Sequence, residues 1–284
     1  MRLFVFGLGY SVRRFIDHHA ERFTAISGTV RTAEKQHALR GSRCMPLLFG
    51  ADHSDPAIAE HIARADLLLV SVPPGASGDP VLAAFDAQIA ASGVRRIVYL
   101  STIGVYADHG GNWIDESAAM SGDGRRKQRI DAEAAWLAAP GKRTSVLRLA
   151  GIYGPGRNAL RNLRAGTARR IVKPDQVFNR IHVEDVARAI DKAFAFDRAG
   201  IWNVCDDEPG PPQDVIAYAA TLMGMSAPPE QSFDDTEMSP MARSFYATSN
   251  RVSNARMKRE MGIELAFPNY RDGLTALWQS GEGK

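Results

Sequence analysis

The chain has 284 residues, 45% of them hydrophobic and 24% charged, with a formal net charge of +3. That composition belongs to an ordered globular protein with a sizeable core and excludes a disordered chain. The charge is slight, and outside Arg125-Arg126-Lys127-Gln128-Arg129 and Arg169-Arg170 the basic residues are dispersed, which argues against a nucleic-acid partner.

Residues 3–6 read as a short apolar strand placed directly before Gly7-Leu8-Gly9. Val12, Phe15, Ile16 and Ala20 then recur at helical spacing through residues 11–20. In such a strand–turn–helix unit the first glycine permits a tight turn and the second lets the backbone approach a pyrophosphate. The helix then points its N-terminal amides at the phosphates. Val12 stands where a third glycine or alanine would let the helix pack close, so the flanking strand and helix carry the specificity of the motif. Gly7, Gly9, Tyr10 and Ser11 are therefore candidate cofactor contacts, the plain alternative being an ordinary tight turn.

Further strands are expected at residues 24–29, 45–49, 66–72, 96–101 and 144–150. Helices are expected at 79–92 and 125–138. Alternating strands and helices predict an α/β fold, a Rossmann-type doubly wound parallel sheet covered on both faces. Such a sheet binds ligands beyond the carboxyl ends of its strands, where the strand order reverses. Val72 and Pro73, just after the fourth strand, join the cofactor candidates. From Tyr153 the pattern loosens, with Gly154-Pro155-Gly156 and a proline-rich stretch at 209–212. Residues 182–196 and 201–205 read as a core helix and another sheet strand. The expected organisation is a dinucleotide-binding domain at 1–152, rejoined by 176–205, and a mainly substrate-binding lobe within 153–284.

At the end of the second strand an acid would grip the ribose hydroxyls of NAD, whereas a basic residue favours the 2′-phosphate of NADP. The run Ser27-Gly28-Thr29-Val30-Arg31-Thr32 has no acid before Glu34. Arg31 offers fixed donors to a phosphate and Thr29 and Thr32 add hydroxyls, so NADP(H) is the expected cofactor and NAD the less favoured one. A solvated arginine is the alternative.

No run approaches a membrane span, and Met1-Arg2 leads into a strand without a signal-peptide pattern, so the expected location is cytoplasmic. Cys44 and Cys205 make neither a metal spacing nor a disulfide framework, and the seven histidines show no ligand motif, so no metal is expected.

Three runs carry a resemblance: Tyr99-Leu100-Ser101-Thr102-Ile103-Gly104-Val105-Tyr106, Leu147 to Gly156, and Arg180-Ile181-His182-Val183-Glu184-Asp185-Val186-Ala187. With the N-terminal turn they resemble the extended short-chain dehydrogenase/reductase superfamily, its NAD-dependent epimerase/dehydratase group. Ser71-Val72-Pro73-Pro74-Gly75 and Arg251-Val252-Ser253-Asn254-Ala255-Arg256 resemble its atypical YeeZ-like branch. The resemblance implies an oxidoreductase or epimerase/dehydratase acting on a small molecule, and pairing of two subunits through the long helices after the fourth and fifth strands.

It also implies a catalytic Ser or Thr after the fifth strand and a Tyr and Lys four apart on the next helix. Thr102 matches the first. Counted back from Glu133, the Tyr and Lys positions fall on Arg125 and Arg129, which stay protonated and cannot serve as the acid. Arg129 is then expected to meet a nicotinamide ribose, or else to pair with Glu133 one turn on; Arg125 is expected to bind an anionic substrate or to be solvated. Tyr106, which the resemblance implies stands beside the active-site entrance, is the nearest phenol to replace the missing acid. Gly151 and Phe178 stand where nucleotide-sugar members carry Asn and Arg, which weakens a nucleotide-sugar substrate. Asn179 and Arg180 are expected either to contact an anionic ligand or to shape the turn into the following strand. His109, Asp115 and Glu116 fall in a loop bordering the expected substrate region, with solvation the plainer expectation. Asp206-Asp207-Glu208 is expected to complement the positive end of the following helix. A cofactor-binding sensor without turnover is the competing expectation.

Overall fold

The computed structural model describes residues 1–139, 141 and 143–284. Seven strands form one parallel sheet: β1 (Arg2–Phe6), β2 (Ala25–Val30), β3 (Met45–Leu48), β4 (Leu67–Val70), β5 (Arg96–Thr102), β6 (Arg143–Leu149) and β7 (Gly200–Val204). Their spatial order is β7-β6-β5-β4-β1-β2-β3, so the chain winds outward from β1 to β3 and then returns to the other side of β1. The reversal lies between β1 and β4, where Ser71 N–H donates to Phe6 C=O across 2.8 Å.

Alternation along β1 builds the two layers. Leu3 and Val5 pack with Val12, Phe15 and Ile16 of helix Tyr10–His19 and with Val186 and Ile190 of helix Val183–Ala195. Phe4 and Phe6 pack on the opposite face with Ile58, Ile62, Phe85 and Trp136 from the helices Ala57–Arg64, Pro80–Ala91 and Gly124–Leu137. Each such fully buried large side chain contributes about 1.5–3 kcal/mol of transfer free energy. Asp79 caps helix Pro80–Ala91 by accepting from Val81 N–H at 2.9 Å and Leu82 N–H at 3.1 Å. Its other oxygen accepts from Trp136 Nε1 at 2.9 Å, tying two helices of one layer together.

A separate apolar cluster of Leu160, Leu163, Ala219, Ala220, Leu274 and Leu277 joins helices Ala159–Arg164, Pro212–Leu222 and Tyr270–Gln279. Three short parallel pairs decorate this end of the molecule: Gly151–Tyr153 with Arg180–His182, Arg170–Val172 with Glu230–Ser232, and Trp113–Ile114 with Arg251–Val252. Cys44 and Cys205 are both buried with free thiols.

Asp206, Asp207 and Glu208 do not cap helix Pro212–Leu222, which begins at Pro211 without a side-chain cap. Asp207 instead pairs with Lys258, Glu208 with Arg271, and Asp206 is buried. Asp207 and Glu208 are drawn apart by partners from the C-terminal segment, while Asp206 stays buried and accepts the Glu208 N–H at 3.3 Å.

Candidate functional site

At the strand-order reversal Gly7 has φ +94°, a conformation L side chains rarely adopt, and a Cβ there would lie 3.3 Å from the Val72 side chain. Gly9 differs: it begins helix Tyr10–His19, and a Cβ there would meet nothing within 4 Å. Nothing in the protein's packing demands glycine at Gly9, which is what a phosphate-approach position requires. Val12 is fully buried, while Leu8 folds over Gly28 of β2, where a Cβ would lie 2.9 Å from Leu8 and 3.0 Å from Val5.

Thr29 is 1% exposed and its hydroxyl accepts the Gly7 N–H at 2.9 Å. The expectation that it adds a hydroxyl to a phosphate is corrected, because the side chain fixes the loop from beneath. Thr32 caps helix Ala33–Ala38, accepting Lys35 N–H at 3.3 Å. Arg31 is exposed at the end of β2, and no described residue forms an ion pair or side-chain hydrogen bond with it. Tyr10 donates to Pro155 C=O at 3.0 Å, linking the loop to Gly154–Gly156; Ser11 is buried, Val72 half-buried and Pro73 exposed.

At the end of β5, Thr102 Oγ1 accepts the Gly104 N–H at 3.1 Å and the side chain is half-buried. The two arginines take unlike places. Arg129 turns into the sheet and donates to Tyr99 Oη at 3.1 Å and Leu100 C=O at 3.2 Å. It does not pair with Glu133. Arg125 is exposed and reaches Met241 Sδ at 3.0 Å on a different segment. Burial raises the Tyr99 phenol to about 12, with the Arg129 charge acting against the rise.

Tyr106 is not at an entrance. It is 1% exposed, donates to Asn203 Oδ1 at 2.6 Å and accepts from Arg148 Nη1 at 2.9 Å. Burial raises its pKa, and both ends of its hydroxyl are engaged, so a proton-donor role does not suit it. Arg148 itself, buried on β6, meets Glu133 Oε2 at 2.7 Å, and Ser101 donates to Glu133 Oε1. Ser101, Glu133, Arg148 and Asn203 are the residues that motif reasoning missed. The signal was available in the runs already quoted, since Arg148 sits in an apolar strand and a buried cation needs an anion.

The remaining candidates divide. Asn179 holds Val252 N–H and Asn250 C=O, both at 2.9 Å, and Arg180 donates to Phe178 and Gly210 C=O at 3.1 and 3.2 Å. Both are consumed in shaping the chain. Glu116 accepts the Asn203 N–H at 2.7 Å, Asp115 accepts from Ser117, and the His109 N–H is held by Asn250. Met241 lies in a cleft of about 1060 Å³ walled by residues 234–239, 241–243, 245 and 246 together with Arg169, Ile171 and Phe178.

A family model described as NAD dependent epimerase/dehydratase family matches residues 80–205, from Pro80 through the Thr102 segment to Cys205. Protein YeeZ of Escherichia coli K12 is 27% identical over 220 residues, 72% of this chain and 73% of that one. Residues 80–205 thus carry a domain of the NAD dependent epimerase/dehydratase family, within a chain similar to YeeZ. A functionally unknown conserved protein from Silicibacter pomeroyi DSS is 45% identical, with 99% of both chains covered and a TM-score of 0.91. A 3-diazoavenalumate denitrifying reductase from Streptomyces sp is 29% identical over 203 residues; the match covers 65% of this chain and 65% of the reductase, just under two thirds of its length. The epimerase/dehydratase fold is shared with human epimerase family protein SDR39U1 isoform 2, solved with NADPH, at 16% identity, a TM-score of 0.75, and 98% and 99% coverage. Among the described residues no helix is long and apolar enough to cross a membrane.

Proposed function

We propose that this chain, with its epimerase/dehydratase family domain, is an NADP(H)-dependent reductase of a small molecule, with a proton-transfer site unlike the family's. Arg31 carries the proposal: an exposed guanidinium without a partner among the described residues, at the end of the strand beside the glycine turn, where a 2′-phosphate would lie if a dinucleotide binds. Gly7 and Gly9 would admit the pyrophosphate, with Tyr10 and Ser11 at the start of the helix, Arg31 and Thr32 around the adenosine end, and Val72 and Pro73 along the opposite wall. A nicotinamide cofactor held there supplies a hydride.

The chain's own residues then have electrostatic tasks. The Thr102 hydroxyl, whose oxygen already accepts the Gly104 N–H, has its proton free to orient a substrate oxygen. Arg125 and Arg129 stabilise negative charge developing on that oxygen, and solvent water supplies the proton that completes the reduced product. The Streptomyces relative, itself called a reductase, agrees with this choice. Residues 153–284, apart from the returning 176–205 segment, serve as the substrate lobe. The test is NADPH consumption with a panel of carbonyl compounds. Oxidation above background that falls at least tenfold in Thr102→Ala supports the proposal.

A second reading, a cofactor-bound sensor without turnover, is favoured by the burial of Tyr106. In that case NADPH binds tightly and no compound in the panel accelerates its consumption.

A further inference from the structure

The cleft of about 1060 Å³ beside residues 234–246 bears on the substrate class, and the inference rests on that cleft being the substrate's place in the proposed reductase. Its apolar lining is aromatic and sulfur-rich: Phe178, Phe245 and Tyr246 with Met238 and Met241. The Phe178 ring stands 5.0 Å from the Tyr246 ring in the cleft wall, and the Phe233 ring, outside the lining, backs Tyr246 at 5.0 Å. Phe245 is 64% exposed and Met241 48% exposed. Large apolar side chains grouped at one cleft mark a ligand surface, and ring faces with polarizable thioethers suit flat π systems.

Charge sets the second limit. Arg169 and Arg243 line the cleft together with Asp234, Asp235 and Glu237, and Arg125 adds a guanidinium whose contact there is the weakly accepting Met241 sulfur. Three cations against three carboxylates leave no surplus positive charge for a pyrophosphate. A single negative group can still be met by Arg125.

We propose that this cleft binds a planar aromatic molecule carrying at most one negative charge, and not a nucleotide diphosphate-sugar. The ring lies among Phe178, Phe245 and Tyr246, and Met241 brings it beside Arg125. The test is calorimetric titration of the full chain with 4-hydroxycinnamate, cyclohexanepropionate and UDP-glucose, each with and without NADP⁺. The aromatic acid should bind, the saturated acid should bind roughly five- to tenfold more weakly, and UDP-glucose should give no saturable heat. Phe245→Ala and Met241→Ala, both at exposed positions, should each weaken the aromatic ligand by roughly the same factor. Absence of aromatic binding, tighter binding of UDP-glucose, or an affinity unchanged in both variants would overturn the proposal. Failure of NADP⁺ to bind the same samples would overturn the reductase reading alone.

Discussion

Glu133 Oε2 lies 2.7 Å from Arg148 Nη2, joining helix Gly124–Leu137 to β6 through an ion pair only 3% and 1% exposed at its two side chains. Arg148 is further held by the Tyr106 hydroxyl and the Met120 sulfur, each at 2.9 Å. The pair therefore anchors the helix that carries Arg125 and Arg129 against the strands that end at the site. Breaking one side of such a pair costs about 3–5 kcal/mol because the other charge stays buried. Arg148→Met should lower the melting temperature by about 10 °C, and a melting point within about 2 °C of wild type would contradict this role.

Tyr106 separates structure from chemistry. Tyr106→Phe removes a hydroxyl that accepts from Arg148 and donates to Asn203, at an expected cost of about 1–3 kcal/mol in chemical denaturation. NADPH affinity should be unchanged. Unaltered stability with lost cofactor binding would reverse the assignment.

The two glycines around the first turn should respond in opposite ways. Gly9→Ala adds a Cβ to open space at an extended backbone position, so stability should hold within about 0.5 kcal/mol while NADPH affinity drops at least roughly tenfold. Gly28→Ala pushes a Cβ to 2.9 Å from Leu8 and 3.0 Å from Val5, so unfolding should become easier by about 1–3 kcal/mol. Denaturation midpoints and a cofactor titration on both variants check the pair of outcomes.

These residues also mark what the sequence made legible. The seven strands announce themselves through apolar runs bounded by glycine and proline, and β1 with its turn and helix was identifiable because each signal is local. Side-chain partners were not. An i,i+4 pairing of Arg129 with Glu133 is worth only about 0.2–0.5 kcal/mol, far less than leaving Arg148 buried without an anion, so Glu133 goes to β6. Arg129 then finds Tyr99 and the Leu100 carbonyl, contacts set by how the helix lies on the sheet. The short pair of Gly151–Tyr153 with Arg180–His182 joins segments too brief to show a period of their own.

Asp206 gives a pH test. The residue is buried with Oδ2 lacking a partner among the described residues, and burial pushes its carboxyl up to about 8, with the Arg180 charge opposing the rise. Between pH 6.5 and 8 the unfolded carboxyl is already ionised, so raising the pH removes a proton from the folded state alone and stability falls, by about 2 kcal/mol across that window. Burial holds the His182 ring down to about 4, so it stays neutral there in the folded state, and most unfolded chains carry it neutral as well. Asp206→Asn should flatten the fall measured by urea denaturation; an equal fall in the variant would contradict the assignment.

Arg31 decides which cofactor is preferred. The most direct measurement is the dissociation constant of NADPH against that of NADH, for the wild-type chain and for Arg31→Ala. A guanidinium on a 2′-phosphate contributes about 1.5–3 kcal/mol, so NADPH should bind roughly ten- to a hundredfold more tightly, and the variant should lose most of that difference while keeping its NADH affinity. Equal binding of the two cofactors by the wild-type chain, or a preference that survives in Arg31→Ala, would contradict it.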